Sequence, residues 1–270
     1  MPINYLYQME KGEIKDYWEK RLSDNYGLHG TGFIGLGKKY NSWMYKVRKH
    51  VFLKKLSLLN VCYGDIDVLD IGSGSGFYIG IWNELGVKKI IGCDLTAVSV
   101  KNLKASFPNN EFFELDIGAD VIPITEKFDI VTAFDMLFHI VDDAKYSKAI
   151  HNIYSLLKPG GLLIFSENFI HHNPKNNRYQ TSRSLNEIEQ LIKGCGFNIL
   201  DRSPMFFFMN APVDSNSVFF RKSWRLITKA VQRGEFFGSL LGLMLFPFEI
   251  LLISLKREGP STEIMICKKP

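Results

Sequence analysis

The chain has 270 residues, 46% hydrophobic and 23% charged, which excludes a disordered or fibrous polymer and leaves one globular core with additions. Its 33 basic and 28 acidic side chains give a formal charge of +5, too small to argue for a nucleic-acid partner by itself. The surplus sits on the flanks: residues 1–50 carry nine basic and five acidic side chains, and residues 214–260 carry seven and four.

In chain order, residues 1–50 read as a helical N-terminal cap, and the opening stretch has no apolar core of a signal peptide. Near its end, Tyr40, Trp43 and Tyr45 alternate with basic residues after a glycine-rich loop. Residues 51–270 read as the main domain. Between about Asp65 and Phe208, short apolar runs alternate with longer periodic segments, the pattern of βα units that build a parallel sheet. The expected strands are Asp67–Ile71, Lys89–Cys93, Glu111–Leu115, Phe128–Phe134, Leu162–Phe165 and about Phe197–Phe208. A last alternating strand, Glu263–Cys267, follows a helical insertion at 214–260. The four cysteines stand far apart without a CxxC or Cys/His cluster, so no metal site or disulfide framework is expected and a reducing cytoplasm fits.

The chemistry concentrates after the first strand, where Gly72, Ser73, Gly74, Ser75 and Gly76 lead into a helix. Glycines there let a ligand approach the backbone, and the helix start supplies amide donors. The GxGxG spacing, with Phe77 next, departs from the GxGxxG of dinucleotide sites. Asp70, just ahead of the turn, would repel a pyrophosphate but pair with an ammonium group. Asp94 ends the second strand, placed to accept hydrogen bonds from ribose hydroxyls. Asp116 ends the third, beside Ile117, placed to accept from an exocyclic amine. Strand-end aspartates also cap helices, and that reading stays open.

Together these residues resemble the class I S-adenosylmethionine-dependent methyltransferase family, from about Asp67 to Phe208 plus the closing strand. Leu157-Lys-Pro-Gly-Gly161 and Phe134-Asp-Met-Leu-Phe-His139 add to the likeness. The resemblance implies an α/β fold: a Rossmann-like, seven-stranded, mostly parallel sheet with helices on both faces. It implies S-adenosyl-L-methionine as cofactor, with Gly72, Ser73, Gly74 and Gly76 along the methionine part. Asp94 and Leu95 would face the ribose, Asp116 and Ile117 the adenine, and Phe134 and Asp135 the sulfonium. Asp70 would complete the set.

Methyl transfer from a sulfonium demands positioning and, for a weak nucleophile, a base. His139 is the first candidate base and His171 the second, with His172 facing the substrate; neighbours on an extended chain point opposite ways, so at most one of the pair points inward. Tyr40 and Trp43 resemble the ring-bearing helix that small-molecule methyltransferases fold over the bound cofactor. Asp135, Asp142 and Asp143 keep a metal-assisted site as a minor reading, with none expected. No nucleic-acid signature is present, so the acceptor is expected to be a small or amphiphilic metabolite, attacked through oxygen.

Residues 221–255 qualify this picture. Arg221–Arg233 place basic and apolar side chains on different helical faces, and Phe236–Leu255 holds 14 apolar residues in 20, interrupted by Pro247 and Glu249. The interruptions argue against a spanning helix. A lid, a homodimer interface and peripheral contact with the inner membrane surface stay open, as do a membrane-associated lipid or isoprenoid methyltransferase and a noncatalytic cofactor-binding or assembly protein.

Overall fold

A computed structural model of the chain describes residues 13–59, 61–172 and 175–270; residues 1–12 of the expected cap lie outside the described residues. Three helices come first: α1 (Glu13–Asp24), α2 (Leu28–Thr31) and α3 (Gly37–Leu56), the last running through residue 50 into the main domain. Then follow β1 (Asp67–Ile71), α4 (Phe77–Glu84), β2 (Lys89–Asp94), α5 (Ala97–Ser106), β3 (Glu111–Glu114) and β4 (Phe128–Ala133). Next come α6 (Asp143–Leu156), β5 (Leu157–Glu167), a small hairpin β6 (Lys175–Asn177) and β7 (Gln180–Ser182), α7 (Leu185–Gly194) and β8 (Asn198–Pro204). The insertion is two helices, α8 (Val218–Val231) and α9 (Glu235–Leu255), and β9 (Glu263–Lys268) closes the chain.

Seven strands form one sheet in the order β3-β2-β1-β4-β5-β9-β8, parallel except for β9, which is antiparallel to both neighbours. Successive side chains on a strand point to opposite faces, so β1 feeds two cores. Val68 joins Ile130, Trp82 and Phe52 in one, while Leu69 and Ile71 join Val131, Tyr146 and Ile150 in the other. Helices α3, α4 and α5 cover the first face, and α6 and α7 the second.

Local chemistry fixes the helix ends. Asp142 Oδ1 accepts from Lys145 N at 2.8 Å to start α6, Ser184 and Glu187 form a reciprocal capping box on α7, and Gly86, at φ 71°, closes α4. Strand ends differ from expectation by at most two residues, except the start of β5 and the end of β8, which differ by more. Strand β5 begins at Leu157, which pairs with Phe128 across a bulge that absorbs Lys158–Gly161. Strand β8 stops at Pro204 because the amides of Phe207, Phe208 and Met209 leave the ladder and donate to Glu249, at 2.7, 2.9 and 3.2 Å.

The same contact explains α9. Glu249 is fully buried on the inner side of the helix, with Gly238 and Gly242. A Cβ on Gly242 would stand 2.2 Å from the Trp43 ring, so glycine alone lets α9 lie this close to α3. The helix continues through Pro247, whose missing N–H falls on the outer, exposed side.

Candidate active site

The strand order reverses between β1 and β4, and open α/β sheets place their binding crevice at the carboxyl ends of strands at such a point. The loop after β1 forms its floor. Gly72 and Gly74 hold left-handed backbone at φ 71° and 53°; a Cβ at Gly72 would meet Met136 Cβ at 2.7 Å, and one at Gly74 would meet Thr31 Cγ2 at 2.8 Å. Only glycine keeps this floor open while those neighbours stay where they are.

Ten of the expected residues line the cleft: Gly72, Ser73, Gly74, Asp94, Leu95, Asp116, Ile117, Phe134, Asp135 and His139. Asp94 braces the glycine loop through Gly74 N at 2.8 Å, and its other oxygen accepts from Thr96 N at 2.9 Å and Thr96 Oγ1 at 2.7 Å. Thr96 itself caps α5 by accepting from Ser99 N, so Asp94 is not spent as a helix cap. Burial raises the pKa of this carboxyl against those hydrogen bonds. Asp116 accepts from Gly118 N at 3.0 Å and pairs with Lys145.

Two other residues of the motif stand behind the cleft. Asp70 is buried and accepts from Thr132 Oγ1 at 2.6 Å, and burial pushes its carboxyl up to about 6. It supports the loop from beneath and does not line the cleft, where the sequence places it beside an ammonium group. Gly76, at φ 81°, is the residue before α4 and is covered by Phe107 and Leu103, so it shapes the turn without lining the cavity.

At the end of β4, Asp135 is held at φ 53°, donating its N–H to Ser166 Oγ at 2.8 Å. Its Oδ2 accepts from Arg48 Nε at 2.6 Å. Burial disfavours the Arg48 charge, but Asp135 reverses this and holds the guanidinium ionised. The rings of Tyr45 and Phe206 flank it, with centroids at 5.0 and 4.8 Å. The carboxylate at the cleft's inner wall is thus neutralised from α3.

His139 sits in a short 3-10 turn after β4. Its Nδ1 lies 2.6 Å from the carbonyl oxygen of Tyr179, an acceptor, so Nδ1 carries the proton and Nε2 is the basic nitrogen. Burial pushes the imidazole pKa down to about 4, and the Trp18 ring meets it edge-on at 4.8 Å.

Helix α1 roofs the cleft with Ile14, Trp18 and Leu22, and Thr31 adds to the cover. The roof is tied down: Glu19 accepts from Ala97 N at 2.9 Å and Val98 N at 3.0 Å, a carboxylate on the start of α5. Arg21 donates to the carbonyls of Gly30 and Gly32. Sequence reasoning missed Trp18, Glu19, Thr31 and Arg48, since nothing local marks a surface-patterned helix as a roof.

Four expected substrate or catalytic residues lie elsewhere. Tyr40 is buried, with its hydroxyl on the Met209 carbonyl at 3.3 Å, and Trp43 packs on Phe246 of α9. Residues three or four apart share a helix face, and that face of α3 receives α9; Tyr45, about 140° around the helix from Tyr40, is the ring that reaches the cleft. His171 is exposed and bonded through N and Nδ1 to Asp214, each at 2.7 Å, and His172 is exposed beside it. Neither lines the cleft, because the segment after β5 turns outward against the insertion. Asp142 caps α6 and Asp143 pairs with Arg183. Among the described residues no cluster of His, Cys, Asp or Glu has the geometry to hold a metal.

Comparison with known proteins agrees with this geometry. Residues 68–161 match the methyltransferase domain family. Over 113 residues the chain is 32% identical to a ubiquinone biosynthesis O-methyltransferase of Albidiferax ferrireducens, covering 40% of this chain and 42% of that protein. Over 141 residues it is 31% identical to a ribosomal protein L11 methyltransferase of Macrococcus caseolyticus, covering 50% and 38%. The chain therefore spans less than half the length of these relatives. Among solved structures, magnesium protoporphyrin IX methyltransferase from Synechocystis PCC 6803 with bound S-adenosylmethionine aligns over 99% of this chain and 100% of its own, with TM-score 0.59 and 15% identity. The [4+2]-cyclase SpnF aligns over 81% and 80%, with TM-score 0.53 and 16% identity. Residues 68–161 are thus similar to a methyltransferase domain, and the chain shares the fold of these solved structures. A cyclase on the same fold shows that activity has to be argued from the site.

Proposed function

We propose that the chain binds S-adenosylmethionine in this cleft and transfers its methyl group to an oxygen of a small or amphiphilic metabolite. The observation that carries the reading is the convergence of a left-handed glycine floor with Asp94 and Asp116, from successive strand ends, on one cavity. The fit is chemical. Asp94 Oδ2, which accepts only from Gly74 N, keeps a lone pair for a ribose hydroxyl, Asp116 and Ile117 suit an adenine edge, and the Gly72–Gly74 backbone leaves room for an amino-acid tail. When bound, the cofactor supplies an already activated methyl group, so the protein's work is placement and handling of one proton.

Tyr45, Phe134 and Asp135 form the inner wall, and Arg48 behind Asp135 balances a carboxylate that would otherwise compete for the sulfonium. Ile14, Trp18, Met136 and Ile140 make the acceptor side apolar and exclude water, which favours an acceptor with an aromatic or aliphatic body. His139 Nε2 receives the acceptor's proton. Its pKa of about 4 keeps Nε2 unprotonated at neutral pH, and so weak a base takes the proton late, as the oxygen gains the methyl group and its hydroxyl becomes strongly acidic.

Calorimetry with S-adenosylhomocysteine tests the binding. The wild type gives measurable heat, and both Asp94→Ala and Asp116→Ala weaken binding, Asp94→Ala by about ten- to a hundredfold, as expected for hydrogen bonds to a charged group. No heat with the wild type, or unchanged affinity in both variants, rejects the reading.

A further inference from the structure

The outer side of the insertion is the largest feature that the cleft does not explain. On α9, Phe236, Phe237, Leu240, Leu243, Met244, Phe248, Leu251 and Leu255 are exposed. Their spacing forms a stripe wider than one third of the helix circumference, opposite the buried Gly238, Gly242 and Glu249. The helix is 21 residues, or about 32 Å long at 1.5 Å per residue. Helix α8 extends the surface with Val218, Phe219 and Leu226, all exposed.

The charges around this stripe are mostly cations, the exposed Glu258 just past α9 being paired with Arg202. Arg221, Lys222, Arg225, Lys229, Arg233, Lys256 and Arg257 are exposed, and none of them is in a described ion pair. Both acids of the two helices are bonded to the body of the protein, Glu235 at the exposed start of α9 and Glu249 buried. Glu235 accepts from Lys38 N at 2.7 Å and Lys39 N at 2.6 Å, and Glu249 holds the three amides after β8. The carboxylate that makes α9 a poor spanning helix is thereby removed from its outer face. Its bonds to the body, with the glycines fitted against α3, hold the helix lengthwise on the protein.

We propose that the α8–α9 hairpin docks the protein on an anionic lipid bilayer. The α9 stripe lies among the upper acyl chains, and the α8 cations meet the headgroups. An exposed apolar helix face flanked by unpaired cations, with its acids bonded elsewhere, is the pattern of an interfacial helix. Charge complementarity decides the occupant: a second copy packed on this face about a twofold axis would bring the same cations together, whereas anionic headgroups neutralise them. The inference goes beyond the catalytic reading and stands without it.

Flotation of the full chain with vesicles, without cofactor, tests it. The wild type floats with mixed phosphatidylcholine and phosphatidylglycerol vesicles and binds pure phosphatidylcholine at least roughly tenfold more weakly. Leu243→Glu with Phe248→Glu abolishes flotation, and Lys222→Ala with Lys229→Ala reduces binding to the anionic vesicles by roughly tenfold or more. Both double variants keep the wild-type melting midpoint, which separates lost docking from lost folding. The proposal is overturned if the wild type stays unbound, if the double glutamate variant floats as well as the wild type, or if light scattering finds a dimer that this variant dissociates. Failure to bind S-adenosylhomocysteine, by contrast, touches only the catalytic reading.

Discussion

His139 lies against an aromatic neighbour and keeps a single proton on Nδ1, and its low pKa has consequences in two measurements. For a histidine whose folded pKa lies below the ordinary 6.5, the stabilising contribution is complete above 6.5 and is lost as pH falls through about 4. Initial rates should therefore show no histidine limb near pH 6.5, and His139→Ala should lower kcat about a hundredfold while leaving cofactor affinity unchanged. A limb at the ordinary histidine pKa would remove the role assigned to it. Glu167 behaves in the opposite sense. Buried at the end of β5, its carboxyl is pushed up to about 8, burial outweighing the pull of Arg183. Its contribution is complete below the ordinary 4.5 and lost as pH rises through about 8, so between pH 6.5 and 8, where His139 no longer titrates, the wild-type melting midpoint should fall more than that of Glu167→Gln. Equal slopes would mean that Glu167 is already ionised. The glycine loop and the acids ending β2 and β3 were legible in the sequence because their placement is local: each follows a short apolar run that can only be a strand. Asp70 was misread by one layer. A strand-end carboxylate can face the ligand or the sheet beneath it, and Thr132, 62 residues later, decides which.

Among the secondary elements, α9 was legible as a helix but not as a neighbour of α3. Composition marks its apolar character; which side faces inward depends on where Glu249, Gly238 and Gly242 find partners, and those partners lie far away in the chain. Glu249 gives the element its most direct test. It satisfies three buried amides, so Glu249→Ala should cost about 3 kcal/mol or more, read as a lowered midpoint in urea, and should loosen residues 205–209 together with the helix. A loss below about 1 kcal/mol would mean that water replaces the carboxylate, and that α9 is held mainly by its packing on Trp43. The aromatic residues of α3 illustrate the same limit. Tyr40, Trp43 and Tyr45 are equally plausible as cleft residues from composition, and only the docking of α9 assigns the first two away from the cleft and leaves the third in it.

At the scale of the whole molecule, the parallel sheet followed from the alternation of apolar runs and its seven strands from the family resemblance, whereas the order of those strands and the roof over the cleft did not. Helix α1 is anchored through Glu19 to the start of α5 and through Lys15 to Glu114, contacts across 78 to 99 residues of chain that no local pattern announces. Hydrogen exchange should report this division. Saturating S-adenosylhomocysteine should slow exchange across α1 and residues 27–32 and leave the outer turns of α9 unchanged; unchanged exchange in α1 would detach the roof from the binding event. One helix nevertheless touches both regions. Helix α3 presents Tyr45 to the cleft, braces its Asp135 through Arg48, and turns Tyr40 and Trp43 to the insertion, within a single rod of 20 residues. Displacement of that rod at one surface is displacement at the other, and thermodynamic reciprocity then fixes the bookkeeping: whatever factor a surface-bound state lends to nucleoside affinity, the nucleoside must return to surface residence in equal measure.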